Sequence, residues 1–325
     1  MSDNDVTRTP GRKKAIVIVA LLLAAILIVV YSGVSVVGKK LYEGVLVRGA
    51  VQQYLQGYGG GQTAVREPDE DDKWLMSVGQ DQWLTADDGV RLHALEVKNK
   101  YVSHTYAVIC HFFTGDATKM GVYARHYYNM GYHLLLPDAR GHGKTECDDI
   151  SMGWLDRLDV VAWINAIVTE DPEARIILHG VSMGGAEVAM VTGEKLPDNV
   201  RAAIEDCGYT SVYDEFRHVI ESESSFPPGI LLNACSAYAR SHKGWSLKEA
   251  SALKQVAKSE TPTLFIHGAA DDFVPSEYCQ QLYDACNARR EIYYVVGAGH
   301  ADALSTDPST YWSKIDHFIL DNLGN

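Results

Sequence analysis

The stretch Arg175-Ile176-Ile177-Leu178-His179-Gly180-Val181-Ser182-Met183-Gly184 decides how this chain is read. Its first five residues are a strand-like run with the apolar Ile176-Ile177-Leu178 at its centre, closed by glycine, the pattern of a buried strand. From Met183 through about Lys195 the residues favour a helix, so the chain must pass from strand to helix within a very short turn. Ser182 then stands at the tip of that turn. Side chains at 180 and 184 would crowd it, so the pattern G-x-S-x-G expresses a steric requirement. A serine hydroxyl lifted above a sheet in this way is a candidate nucleophile. The backbone N–H of Met183, at the helix start, is a candidate donor to developing negative charge.

Outward from this stretch, the chain alternates short apolar runs with longer helical ones, as a mostly parallel sheet flanked by helices requires. Asp87-Asp88-Gly89 predicts a hairpin turn between strands Gln82–Thr85 and Val90–Val97. Further strands are expected at Tyr106–His111, His133–Leu136, Arg175–His179, Ala202–Glu205, Thr263–His267 and Glu291–Val296, which makes eight in all. Asp307-Pro308 predicts an N-cap and first helical position opening a C-terminal helix. Between about residues 209 and 259 the alternation lapses. A helical cap inserted after the sixth strand is expected there, with Ile230 and Leu231 on a substrate pocket and Ser246-Leu247-Lys248-Glu249 as a capping box opening a helix through Leu253 and Val256.

Four more segments carry chemistry. They are His111-Phe112-Phe113-Thr114-Gly115 after the third strand, Asp138-Ala139-Arg140-Gly141-His142-Gly143 after the fourth, His267-Gly268-Ala269-Ala270-Asp271-Asp272-Phe273-Val274-Pro275 after the seventh, and Gly297-Ala298-Gly299-His300 after the last. With the serine turn, they make residues 82–323 resemble the α/β-hydrolase superfamily, whose chain order of serine, acid and histidine is met by Ser182, Asp271 and His300.

That resemblance implies His300 as general base, Asp271 as the acid orienting it, and an oxyanion hole formed by the N–H groups of Met183 and Phe113. Asp271 takes precedence over Asp272 because Val274-Pro275 then fall in register. Phe112 stands where the family places glycine, so Phe112-Phe113 reads either as the donor loop or as core filling. The 138–143 turn shapes the pocket rim. His179 and His267, at strand ends, read as local hydrogen-bonding residues.

The N-terminus carries a different signal. Arg8, Arg12, Lys13 and Lys14 precede an uncharged stretch, Ala15–Gly38, that as a helix would run roughly 36 Å, enough to cross a bilayer core. The expected organisation is a cytoplasmic basic tail (1–14), a transmembrane anchor (15–38), a juxtamembrane spacer (39–80) and the hydrolase domain (81–325). A cleaved signal peptide and a buried core helix are the alternatives. Lys39 and Lys40 follow the span, and the excess of basic residues before it places the catalytic domain outside the cytoplasm.

A formal charge of −13 over 325 residues argues against a nucleic-acid partner. Six scattered cysteines form no CxxC pair or Cys/His ligand spacing, so neither a zinc site nor a thioredoxin-like motif is suggested. The implied mechanism needs no metal or organic cofactor, and no H-E-x-x-H or phosphate-binding glycine loop appears. Within the family, the chain looks most like bacterial membrane-anchored hydrolases of esterase-like or lysophospholipase-like type. The function this implies is cleavage of a small or lipid-like carboxylic ester through an acyl-enzyme on Ser182. A serine peptidase or thioesterase, and a non-catalytic membrane-tethered binding protein, are the other readings.

Overall fold

The computed structural model describes residues 32–50, 67–223, 225 and 227–324. Eight strands form one sheet in the order β1-β2-β4-β3-β5-β6-β7-β8. They are β1 (Gln80–Thr85), β2 (Arg91–Val97), β3 (Thr105–Cys110), β4 (His133–Pro137), β5 (Arg175–Val181), β6 (Val200–Asp206), β7 (Thr263–Gly268) and β8 (Arg290–Val295). β2 is antiparallel to both β1 and β4, and the other pairings are parallel. The predicted strands therefore all form, with ends shifted by no more than about two residues. Gly89 makes the expected hairpin turn with φ 87°, a left-handed conformation that glycine adopts without strain.

The helices are α1 (Glu70–Val78), α2 (Gly121–Asn129), α3 (Asp156–Glu170), α4 (Met183–Val191), α5 (Val212–Glu223), α6 (Pro228–Lys243), α7 (Ala252–Val256), α8 (Glu277–Ala285), α9 (Ala303–Thr306) and α10 (Pro308–Leu323). Period-two alternation divides the central strands between two layers. Ala107, Ile109, Ile177, Ala202 and Ile204 face a core shared with α1, α2 and α10. Val108, Cys110, Ile176, Leu178 and Ala203 face one shared with α3. Each fully buried Ile or Leu here contributes about 1.5–3 kcal/mol. β3 and β5 are neighbours whose following helices go to opposite faces, so the loops after them part at the C-terminal edge of the sheet and open a crevice there.

The cap forms between β6 and β7 as expected, from α5, α6 and α7. The proposed capping box does not open a helix. Trp245, Leu247 and Ala250 are buried and hold residues 247–249 in a turn, with the Glu249 and Ala250 N–H groups on the Ser246 carbonyl. α7 starts later, capped by the Ser251 side chain, which accepts from the Lys254 N–H. The Asp307 cap of α10 forms as expected, accepting from the Thr310 N–H.

The greater part of the expected anchor, residues 15–31, lies outside the described residues, as do the tail 1–14 and the glycine-rich 57–61. Among the described residues no helix is long and apolar enough to cross a membrane. Residues 32–45 are helical. A Cβ at Gly38 would lie 2.2 Å from the Ala234 carbonyl oxygen, so glycine is what lets this helix touch α6. The stretch expected as a spacer is built into the domain at both ends. Tyr42 and Leu46 are fully buried beside Trp245, and Arg48 donates to the carbonyls of Gly143 and Cys147. The acidic run ending at Asp72 is the capped start of α1: Asp69 accepts from the Asp72 N–H, and the buried Asp72 carboxylate accepts from the Gly121 N–H.

Candidate active site

Ser182 joins β5 to α4 with φ 57° and ψ −115°. A non-glycine residue held there is strained by roughly 1–3 kcal/mol, so its surroundings must fix it. Its N–H donates to the Asp206 carbonyl at 2.8 Å and its own carbonyl accepts from Ala186 at 3.0 Å. A Cβ at Gly180 would sit 1.9 Å from the Gly184 oxygen, and one at Gly184 would sit 2.2 Å from the Cys110 oxygen. The two glycines of the motif are thus required by backbone contacts on either side of the serine. Ser182 is only 7% exposed, at the floor of a cavity.

The loops after β7 and β8 bring the other two residues to it. A Cβ at Gly268 would meet the carbonyl oxygens of Gly299 and Ala298 at 2.4 and 2.5 Å, so this glycine allows the β8 loop to lie against the end of β7. The Ala270 N–H then bonds to the Ala298 carbonyl at 2.9 Å. His300 Nε2 lies 2.8 Å from Ser182 Oγ, and its Nδ1 lies 2.8 Å from Asp271 Oδ2. Asp271 Oδ1 accepts from the N–H groups of Phe273 and Val274, at 3.1 and 2.9 Å. With the carboxylate fixed from both sides, Nδ1–H donates to Asp271 and Nε2 is left to accept the serine proton.

Asp272, next in sequence, is exposed, and its carbonyl accepts from His218 of the cap. Ser182, Asp271 and His300, expected from the sequence to act together, are therefore joined in one hydrogen-bonded relay, and Asp272 lies outside it.

Electrostatics support the ionised acid. Burial opposes charge on Asp271, yet hydrogen bonds from His267 and His300 outweigh it and lower its pKa to about 2. His267 does more than the local hydrogen bonding expected of it. Besides its local bond to the Val274 carbonyl at 3.0 Å, its Nε2 lies 3.2 Å from Asp271 Oδ2. Burial opposes charge on its ring as well, and Asp271 raises its pKa nonetheless. The sequence signal was the H-G-x-x-D spacing itself, which puts ring and carboxylate across one tight turn.

Cys207 also comes close: its sulfur, an Asp271 oxygen and a His300 nitrogen lie within 4.8 Å of one another. Burial pushes the Cys207 thiol well above its ordinary pKa, so it is protonated and not a competing nucleophile.

The aromatic pair splits between its two readings. Phe112 packs its ring over Gly115 and against the sheet, while Phe113 lines the cavity beside Met183. The Phe112 carbonyl accepts from His111 Nδ1 and the Gly115 N–H, and the Phe113 carbonyl accepts from His142 Nε2. His111 Nε2 in turn accepts from the Ala139 N–H at 3.1 Å. The 138–143 turn therefore fixes this loop through two histidines as well as shaping the rim, and a bulky residue at 112 is accommodated.

The cavity has a volume of about 420 Å³. Its walls are apolar: Leu41 and Val45 of the N-terminal helix, Phe216, Val219 and Ile220 of α5, and Leu231 and Leu232 of α6. Leu231 is placed as expected. Ile230 is 68% exposed and faces away. Glu215 of α5 also lines the cavity, a polar residue no sequence pattern singled out.

Residues 103–224 match the family model described as serine aminopeptidase, S33, and residues 177–301 the one described as serine hydrolase (FSH1). The uncharacterized protein YqkD of Bacillus subtilis (strain 168) is 25% identical over 67% of this chain and 72% of its own length. The esterase YjfP of Escherichia coli (strain K12) is 25% identical over 60% of this chain and 79% of its own. Among solved structures, the Pyrococcus furiosus esterase Pf2001 superposes with a TM-score of 0.63 at 20% identity, covering 80% of this chain and 97% of that one. The fold is that of the α/β-hydrolases.

Proposed function

We propose that the chain is a serine hydrolase that cleaves a carboxylic ester through an acyl-enzyme on Ser182. The observation that carries this reading is the unbroken relay from Ser182 Oγ through His300 to the buried Asp271 at the floor of an apolar cavity. His300 Nε2 takes the hydroxyl proton as Oγ attacks the ester carbonyl, and the imidazolium that forms is stabilised by the Asp271 carboxylate. The N–H groups of Met183, at the start of α4, and Phe113, on the loop fixed by His111 and His142, receive the oxyanion. The imidazolium then protonates the departing alcohol. Water, deprotonated by the same histidine, releases the acid and restores the serine.

The apolar walls favour an ester with an acyl chain over a peptide. A peptidase on the same relay is the second reading, favoured by the match to the serine aminopeptidase model. Residues 15–38 act in this proposal as an anchor that holds the domain at a membrane, outside the cytoplasm. The uncharged run and its basic flank support that reading.

A fluorophosphonate probe tests the chemistry: it should label the wild type and leave Ser182→Ala unlabelled, and undiminished labelling of the variant refutes the assignment. Hydrolysis of p-nitrophenyl esters against matched peptide anilides separates the two readings. External protease on spheroplasts of an expressing bacterium should digest the domain; its protection there refutes the topology.

A further inference from the structure

Glu215 is the polar exception in an otherwise apolar cavity. It is 3% exposed, lies in the first turn of α5 and lines the same space as Ser182 and Met183. Neither carboxyl oxygen has a hydrogen-bond partner among the described residues. Its neighbours do not supply one: the Tyr209 hydroxyl donates to the Met152 carbonyl at 2.9 Å and the Tyr278 hydroxyl to the Asp214 carbonyl at 3.2 Å. Arg217, two residues along the helix, pairs with Asp214 at 3.2 Å. The charged group that acts on Glu215 is Asp271, and its sign opposes ionisation. Burial is the larger influence, and together they push the carboxyl pKa well above its ordinary value.

A carboxyl buried without a partner is destabilising relative to a bonded one, and a leucine would fill the site without that penalty. A neutral carboxyl brings something leucine cannot, an O–H donor within the wall of the space where a substrate chain sits. We propose that Glu215 recognises the substrate, donating a hydrogen bond to an oxygen acceptor (hydroxyl, ether or carbonyl) carried on the chain that fills the cavity. The preferred substrates are then oxygenated acyl esters rather than plain aliphatic ones. An anionic group on that chain is disfavoured by Asp271, and a cationic one would require Glu215 to ionise in an apolar wall.

This inference rests on the proposed ester hydrolysis, and its test has an arm that does not. In the kinetic arm, kcat/KM is measured for p-nitrophenyl octanoate and for the same ester bearing a hydroxyl at successive carbons. Wild type should favour at least one hydroxylated ester, and Glu215→Leu should lower that selectivity ratio by about tenfold. Glu215→Gln keeps an N–H donor and should hold the ratio to within about threefold. Melting temperatures of the variants confirm folding, and Glu215→Leu should melt no lower than wild type.

In the second arm, infrared difference spectra of Ser182→Ala at neutral pH should show a protonated-carboxyl band that is missing from Ser182→Ala/Glu215→Gln. It should shift on adding the hydroxylated methyl octanoate and not on adding methyl octanoate. Absence of that band, an unchanged ratio in Glu215→Leu, or a preference for ammonium-bearing chains overturns the proposal. Failure of every ester and of probe labelling, with the band present and shifting, refutes the hydrolase reading and leaves the recognition role of Glu215 standing.

Discussion

Replacing Asp271 by asparagine changes one oxygen to an amide nitrogen, and its surroundings dictate which way the amide turns. Oδ1 accepts from two backbone N–H groups, of Phe273 and Val274, so the asparagine oxygen must occupy that side. Its NH₂ then faces His300 Nδ1, where the carboxylate accepted at 2.8 Å. An NH₂ there donates to Nδ1 and drives the ring proton to Nε2, the position that must be bare to take the Ser182 proton. The same NH₂ opposes the Nε2–H of His267, which bonds to the Val274 carbonyl.

Asp271→Asn should therefore lower kcat by about 10³ to 10⁴, a barrier increase of roughly 4–5.5 kcal/mol. Asp272→Asn, at an exposed position outside the relay, should lower it less than about tenfold. The acid also carries a stability signature. A carboxyl held at about 2 in the folded chain, against an ordinary 3.8, contributes about 2 kcal/mol that is present above pH ~4 and lost as pH falls through about 2. Urea denaturation at neutral pH should find Asp271→Asn less stable by about that amount, and the difference should close as pH falls toward about 2. Steady-state kinetics on one p-nitrophenyl ester decides the catalytic part. A larger loss in Asp272→Asn than in Asp271→Asn refutes the assignment of the acid.

Other consequences are more local. Gly184→Ala places a Cβ 2.2 Å from the Cys110 carbonyl and should destabilise the fold by about 3 kcal/mol or more, read from the urea midpoint; a change under about 1 kcal/mol contradicts the close packing of the serine turn. Leu231→Phe fills part of the cavity and should shift preference toward shorter p-nitrophenyl esters, whereas Ile230→Ala should leave the chain-length profile as it is. Glu205 is fully buried, and burial pushes its pKa up to about 7, so folding loses stability as pH rises from the ordinary carboxyl range through about 7. Glu205→Gln, whose side-chain oxygen still accepts from the Gly208 N–H, should stabilise the protein at pH 8 by up to about 3 kcal/mol and have little effect near pH 4. Equal shifts at both pH values would show that the gain is not one of ionisation.

How much of this was legible in the sequence depends on whether the deciding contacts lie close along the chain. The serine turn was legible because its constraint joins residues 180 to 184, and the sheet because alternating burial is written into each strand. Residues 39–50 have the sequence of a spacer because their partners lie far away: Tyr42 packs against Trp245 and Arg48 holds the carbonyls of 143 and 147. Ser246 carries a capping-box pattern, but the burial of Trp245 and Leu247 overrides it and moves the helix start to Ala252. Glu215 was invisible for another reason. Acidic residues in a first helical turn ordinarily face solvent and favour the helix dipole, and only the cap's packing turns this one inward.

The backbone itself shows where the fold is shaped by the site. Among the described residues, four that are not glycine have positive φ: Met152 at 52°, Ser182 at 57°, Cys207 at 50° and Ala301 at 57°. All four belong to the site: Met152 and Ser182 line the cavity, Cys207 puts its sulfur beside Asp271 and His300, and Ala301 follows His300. Each such residue disfavours the fold by about 1–3 kcal/mol, so scattered strain would be selected away, whereas strain gathered at one place needs a local reason. Two of the four sit at the ends of adjacent strands, and the sheet holds them there. The Ser182 N–H bonds to the Asp206 carbonyl and the Cys207 N–H to the Ile266 carbonyl, carrying the ladder one residue beyond β5 and β6 before each chain turns away. The parallel sheet thus grips Ser182 and Cys207 where each chain turns away, which is how a rigid scaffold fixes a serine hydroxyl to within hydrogen-bonding distance of a histidine from a different loop.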